Sequence, residues 1–191
     1  MSNETMIREY VGNRITGLIR QRNTSGGRAM LAQLRRGIGK EPGELPELWG
    51  IFLNELRPEL IRKDGVPTAA EWAIYLSLTL FALHQQGNTD PVHCEKVSLG
   101  KAAYALMGKD KDDEARKRVL RRFAPIVTAK SMAEVSHHLR GMIQLLKANG
   151  NALDYIQLAA DLYQFQFIES RRNVQLRWGQ DFYCYEKGEE K

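Results

Sequence analysis

Apolar residues recur along this chain at spacings of three and four, and no convincing stretch alternates polar with apolar as a strand would. The pattern predicts an all-α protein. Met6, Tyr10 and Val11, then Leu18, mark a first helix that ends before Thr24-Ser-Gly-Gly27. A second runs from Arg28 to about Arg36 and stops at Gly37. Gly39 to Pro46 reads as a loop rich in Gly and Pro. Leu48, Phe52 and Leu56 predict a third helix, disturbed at its end by Pro58. Thr68 opens a long core helix, and Glu71 completes its capping box. The apolar run of that helix, Trp72 to Leu83, is broken by Ser77 and Thr79. It falls short of the roughly 20 residues a membrane-spanning helix needs.

The polar stretch from Gln85 to Val97 holds Gly87, Asn88 and Pro91 and divides the pattern in two. Beyond it, Ser98 caps a short helix to about Met107, and Asp112 starts another that Pro125 should bend or end. Ser131 with Glu134 predicts a second capping box, followed by Met132, Val135, Leu139, Met142 and Leu146 up to a stop at Asn149-Gly150. Asp154 caps the next helix, through Leu162 and Phe165. Ser170 begins the last, with Val174, Trp178 and Phe182 on one stripe. Short connections in this half favour antiparallel packing. The expected architecture is two packed helical bundles, residues 1–90 and 98–185, the second four-helix-like, followed by a charged tail at 186–191.

Charge adds a direction. The formal net charge of +5 permits an anionic partner without requiring one. Its densest expression lies between Arg116 and Arg122, where five basic residues occur with no acid among them. On a helix, Ala115, Val119, Phe123, Ile126 and Val127 form one stripe, and Lys117, Arg118, Arg121 and Arg122 cluster opposite. Such a face is either simply solvated or able to dock a phosphate backbone. Arg35 and Arg36, beside Gly37, either complement a helix C-terminus or grip phosphates. Lys101 lies in the first exposed turn of Ser98-Leu-Gly-Lys, where a cation opposes the helix dipole, a hint of an anionic partner. Arg140 and Lys147, seven apart, share one helix flank, and Arg171 and Arg172 open the last helix. The aromatics Tyr163, Phe165, Trp178 and Phe182 sit at core spacing rather than as base-stacking platforms. A nucleic acid would therefore be held through its backbone.

Catalytic chemistry finds little support. Of the four histidines, His137 and His138 lack the i, i+4 spacing of a metal-binding helix face. His93-Cys94-Glu95 places possible ligands in a row, without a second cluster or an orienting group for a nucleophile. Gly12-Asn-Arg-Ile-Thr-Gly17 only superficially has phosphate-loop spacing and lacks the lysine. The expectation is a protein without an active site, without metal or cofactor. Two distant cysteines indicate no disulfide framework, and the charged first twenty residues exclude a signal peptide's apolar core. A cytoplasmic, non-membrane location follows as the simplest expectation.

Several phrases together resemble a known family. Leu34-Arg-Arg-Gly-Ile-Gly39 with Pro42, Pro46 and Trp49 is similar to its N-terminal signature, and Ser98-Leu-Gly-Lys-Ala102 to a central one. Leu145-Leu-Lys147, Asp154-Tyr155, Leu158-Ala159, Val174, Trp178-Gly179 and Asp181-Phe-Tyr183 resemble the C-terminal part. The family is CasB, the small subunit of the type I-E CRISPR Cascade surveillance complex. The resemblance spans Leu34 to Tyr183. It implies an all-helical, non-catalytic protein that sits as a pair of copies among other Cascade subunits. Its basic groove would help hold the displaced DNA strand and the hybrid of CRISPR RNA with target DNA. Arg35, Arg36 and Lys101 fall inside matching motifs; Arg118, Arg121, Arg122 and Arg140 match only as basic positions in corresponding helices. The rival reading is a helical adaptor or regulator that works through protein contacts alone. A nuclease would need a carboxylate or histidine cluster that the sequence does not offer.

Overall fold

The computed structural model describes residues 1–109 and 112–184; the tail expected at 186–191 lies outside them. Among the described residues every regular element is helical: α1 (Asn3–Gln21), α2 (Ser25–Arg36), α3 (Trp49–Phe52), α4 (Ala69–Gln85), α5 (Leu99–Ala105), α6 (Asp113–Thr128), α7 (Met132–Ala148), α8 (Tyr155–Phe165) and α9 (Ile168–Cys184). The chain is all-α. Short polar side chains start most of these helices. Ser2, Thr24, Thr68, Ser98, Asp112, Ser131 and Asp154 each accept a backbone N–H of the first turn. At Thr68 the capping box is reciprocal: its hydroxyl accepts from the Glu71 amide at 3.0 Å, and Glu71 accepts from the Thr68 amide at 2.7 Å.

Four local expectations need correction. The helix drawn through Leu48, Phe52 and Leu56 is one turn of α3 between two 3₁₀ turns, Pro46–Leu48 and Pro58–Leu60. Glu55 adopts a left-handed φ of 62° and reverses the chain, while the Tyr10 hydroxyl (2.9 Å) and the Arg14 guanidinium fasten the Asn54 carbonyl. The three apolar residues are buried all the same. Pro125 neither ends nor interrupts α6, which continues to Thr128; it removes only the donor that would have served the Arg121 carbonyl. Glu134 accepts from the Lys130 amide at 2.8 Å rather than from Ser131, so that cap is one-sided. Finally, α9 begins at Ile168, and the Ser170 hydroxyl instead donates to the Gln164 carbonyl at 2.7 Å.

Helix α4 is buried on nearly every side, packed by α1 and α2 from the first half and by α7 and α8 from the second. Its polar groups find partners within the core. The Ser77 hydroxyl donates to the Tyr155 carbonyl at 2.7 Å, and His84 Nδ1 lies 2.9 Å from the Tyr155 hydroxyl. Burial pushes the His84 imidazole down to about 4. The polar stretch before α5 is tied alongside the segment before α8. Leu153 donates to the Val92 carbonyl at 3.1 Å, Cys94 to that of Leu153 at 3.2 Å and Asp154 to that of Val97 at 2.8 Å. Two glycines permit close approach where bulk would be rejected. A methyl group at Gly37 would stand 2.5 Å from the Tyr75 hydroxyl, and one at Gly100 2.3 Å from the Trp178 carbonyl oxygen. These contacts fix the ends of α2 and α5, which carry Arg35, Arg36 and Lys101.

Candidate nucleic-acid interface

Helix α6 is anchored by Ala115, Val119, Phe123 and Ile126, all buried. The Phe123 ring lies 5.6 Å from that of Phe182 and 6.5 Å from that of Trp178, centroid to centroid. This stripe fixes the rotation of the helix and leaves Lys117, Arg118, Arg121 and Arg122 exposed. Lys117 reaches back to Glu114 at 3.0 Å. Arg116, the fifth cation of the run, turns aside: it pairs with Asp113 at 3.1 Å and lies 5.8 Å from the centre of the Tyr183 ring. Acidic side chains in the first turn, Asp113 and Glu114, suit the helix dipole and leave the basic residues to the middle of the helix.

Helix α7 packs against α6 as the second arm of a hairpin. Arg121 lies about 10 Å back from the end of α6 and Arg140 about 12 Å into α7, so the two stand at similar height. Arg140 is exposed and lines a cleft of about 220 Å³ with Ala133, Ser136 and His137; Gly39, Lys40, Glu41 and Trp72 form the opposite wall. The structure thereby brings the turn after the Arg35-Arg36-Gly37 motif against the Arg140 face of α7. Arg36 is exposed, 4.0 Å from the Glu47 carboxylate, whereas Arg35 is half-buried and its burial lowers the guanidinium's pKa.

The remaining expected residues lie in different settings. Lys101 is half-buried rather than fully exposed, and its ammonium donates to the Lys96 carbonyl at 3.2 Å. Lys147 reaches Gln86 Oε1 at 3.5 Å. Arg171 is part of the packing: its Nε donates to the Phe165 carbonyl at 2.7 Å and its guanidinium lies 4.8 Å from the centre of the Phe165 ring. Arg172 is exposed. Phe165, Trp178 and Phe182 are core residues, and the Tyr163 hydroxyl accepts from Asn3 at 3.1 Å. Gly12 to Gly17 lies in the interior of α1. His93 Nδ1 accepts from the Tyr155 amide at 3.2 Å, and among the described residues no group of three or more His, Cys, Asp or Glu side chains could hold a metal.

Sequence reasoning missed Arg8, Lys96 and Arg177, which share with Lys101 a polar cleft of about 440 Å³ between α1, α5, α8 and α9. The available signal was Asp161, a carboxylate among Leu158, Leu162 and Phe165 that needs a partner in the core.

No helix among the described residues is long and apolar enough to cross a membrane. Among curated proteins none matches. Solved structures do. CasB from Thermobifida fusca is 30% identical, with 93% of this chain and 98% of that one covered, at a TM-score of 0.78. A CRISPR-associated protein of the Cse2 family from Thermus thermophilus is 21% identical over 96% of this chain and 99% of that one, at 0.67. M. ruber CasB is 23% identical over 100% and 97%, at 0.64, and these two bear on the fold alone. The family model for the CRISPR-associated protein Cse2 matches residues 30–183. The chain belongs to the Cse2 family of CRISPR-associated proteins.

Proposed function

We propose that this chain is a non-catalytic, cytoplasmic small subunit of a Cascade-type CRISPR complex in antiviral defence. It binds the backbone of the displaced DNA strand and of the hybrid between CRISPR RNA and target DNA. It does so beside other Cascade subunits and a second copy of itself. One observation carries the reading: the exposed Lys117, Arg118, Arg121 and Arg122 project from a helix whose rotation the buried Phe123 stripe holds. Arg140 on the neighbouring arm and Arg36 beyond the 220 Å³ cleft extend the same chemistry. Such a surface reads charge rather than base sequence. Its test is salt. If about four phosphates are neutralised, log affinity for single strands falls with log salt at a slope of roughly −3. A salt-independent affinity, or strong preference among unrelated oligonucleotides, removes the reading.

The adaptor reading draws on Phe167 and Ile168 at the start of α9 and Leu176 at its middle, apolar side chains that are exposed. We assign them to contacts with neighbouring subunits, which the nucleic-acid role also requires; the salt titration separates the two. The absence of catalysis has its own test. Cys94→Ser, His137→Ala and His138→Ala, with His93→Asn to keep an acceptor for the Tyr155 amide, leave interference by the assembled complex near normal. Loss of interference by a stably folded variant points to an active site.

A further inference from the structure

The 440 Å³ cleft carries four cations, Arg8, Lys96, Lys101 and Arg177, and four acids, Glu95, Asp154, Asp161 and Asp181. Its formal charge balances; its hydrogen-bonding capacity does not. The acids that line its depth are occupied. Asp154 accepts from the amides of Lys96, Ile156 and Gln157 at 2.9–3.0 Å. Asp161, 2% exposed, accepts from Gln157 Nε2, Arg177 Nη2 and Trp178 Nε1, each at 2.7 Å. Asp181 accepts from the Ser98 hydroxyl at 2.5 Å. Only Glu95 is an exposed acid at the rim.

The donors are in surplus. A guanidinium carries five N–H groups. Arg8 uses Nε on Glu4 at 3.0 Å and Nη2 on Gln157 Oε1 at 2.9 Å, with Nη2 also 3.0 Å from the Glu4 carboxylate. Arg177 uses Nη2, on Asp161 and on Gln164 Oε1. Among the described residues, Nη1 of each arginine has no partner. Gln157 couples them, since it accepts from Arg8 and donates to the Asp161 that Arg177 holds. Two guanidinium groups are thus pre-ordered on the half-buried Gln157 and the buried Asp161, and the donors they turn to the cleft meet no acceptor of the protein.

We infer that this cleft is a second anion site, which takes one phosphodiester of a bound strand between Arg8 and Arg177. The assignment rests on the nucleic-acid reading above. Trp178 is 1% exposed and offers no face for stacking, so the strand enters by its phosphate and not by a base. The site shares no residue with the α6–α7 surface, and the two contribute separately.

The test uses the whole chain and a 20-nucleotide oligodeoxythymidylate. Arg8→Gln with Arg177→Gln weakens binding roughly tenfold at low salt, as loss of charge-assisted hydrogen bonds does. It also makes the salt slope shallower by about 0.7 for one lost phosphate. Arg177→Lys, which keeps a charge beside Asp161 but loses the fork, restores the slope and only part of the affinity. If the wild type fails to bind the oligonucleotide, the nucleic-acid reading itself is overturned. If the wild type binds and the double variant binds equally well, only the second site is. Should the double variant not fold, wild-type protein labelled in its arginine side chains is titrated with inorganic phosphate. Saturable shifts confined to the Nε–H signals of Arg8 and Arg177 support the site; uniform, unsaturable shifts overturn it. Phosphate binding without competition against the oligonucleotide overturns the assignment to a strand.

Discussion

The arginines of α6 and those around α9 occupy opposite physical situations. Arg118, Arg121 and Arg122 stand in water, on the side of α6 opposite the buried stripe that anchors it. Arg171 is spent on the protein itself, on the Phe165 carbonyl and ring, and Arg177 stands between the two cases, with Nη2 on a buried carboxylate and the rest of its fork open to the cleft. A guanidinium bound to its own fold lends rigidity; one left hydrated on a rigid helix is available to a partner. The same residue type therefore divides into structure and recognition according to what lies within hydrogen-bond reach. The difference can be broken from either side.

The largest expected effect is on the anchor. Phe123→Ala removes a fully buried ring that touches Trp178 and Phe182, and costs about 3–5 kcal/mol of stability, read from denaturant unfolding. The loss falls on α6 and α9 together. A cost under about 1 kcal/mol means that α6 is not rotationally fixed, and that its basic face is not a preformed one.

Next comes acid. The folded state holds His84 at about 4 against an ordinary 6.5, so between those values the unfolded chain binds more protons. Stability from this group is therefore fully present above about 6.5 and is lost as pH falls towards 4. At about 1.36 kcal/mol per pH unit the loss reaches roughly 3 kcal/mol. Burial raises Asp161, which works in the opposite direction on acidification despite its three donors. Comparison with His84→Gln isolates the histidine, because the variant loses that part of the slope. The loss falls on the α4–α8 core, where His84 meets Tyr155. A wild type and His84→Gln with the same pH dependence count against a neutral buried imidazole.

Most of the fold was legible because its signals are local. Thr68 with Glu71, Ser98, Asp112 and Asp154 are caps that act within one turn, and the apolar stripes of α6, α7 and α9 repeat over several. What escaped depends on contacts distant in sequence. The break at Glu55 is stabilised by Tyr10 and Arg14, which hold the Asn54 carbonyl from forty or more positions away. The continuation of α6 past Pro125 is favoured by the burial of Ile126. The basic face of α6 could be drawn from the sequence, but not the turn of Arg116 towards Tyr183 or the embedding of Arg171. Arg8 and Arg177 were invisible as a pair because only the tertiary fold places Gln157 and Asp161 between them.

Arg171 offers a middle-sized test of the comparison. Arg171→Ala removes a hydrogen bond to the Phe165 carbonyl and a cation over that ring, and should lower stability by about 1–2 kcal/mol. Its effect on oligonucleotide binding should be slight, since the guanidinium faces the α8–α9 turn. Thermal unfolding and a binding isotherm on one sample decide it. Weakened binding with unchanged stability would move Arg171 from structure to recognition.

The smallest effect on stability, and the largest on binding, belongs to Arg118→Ala, Arg121→Ala and Arg122→Ala together. All three side chains are exposed and none belongs to the buried stripe. Surface charges contribute little to folding, so stability should change by less than about 1 kcal/mol per residue. Removing three cations should instead flatten the salt dependence by about 2 in slope if each meets one phosphate. Within an assembled complex the displaced strand should then react more readily with permanganate or nuclease, and target affinity should fall. The triple variant also separates the two surfaces. With the α6 face gone, the binding that survives should still respond to Arg8→Gln, because the cleft between α1, α5, α8 and α9 is untouched. If the triple variant assembles and protects the strand as the wild type does, the α6 arginines are a solvated face. The binding surface would then have to be sought at Arg35, Arg36 and Lys101, at Arg140 across the 220 Å³ cleft, or in the cleft of Arg8 and Arg177, and the contrast between α6 and α9 would be one of burial alone.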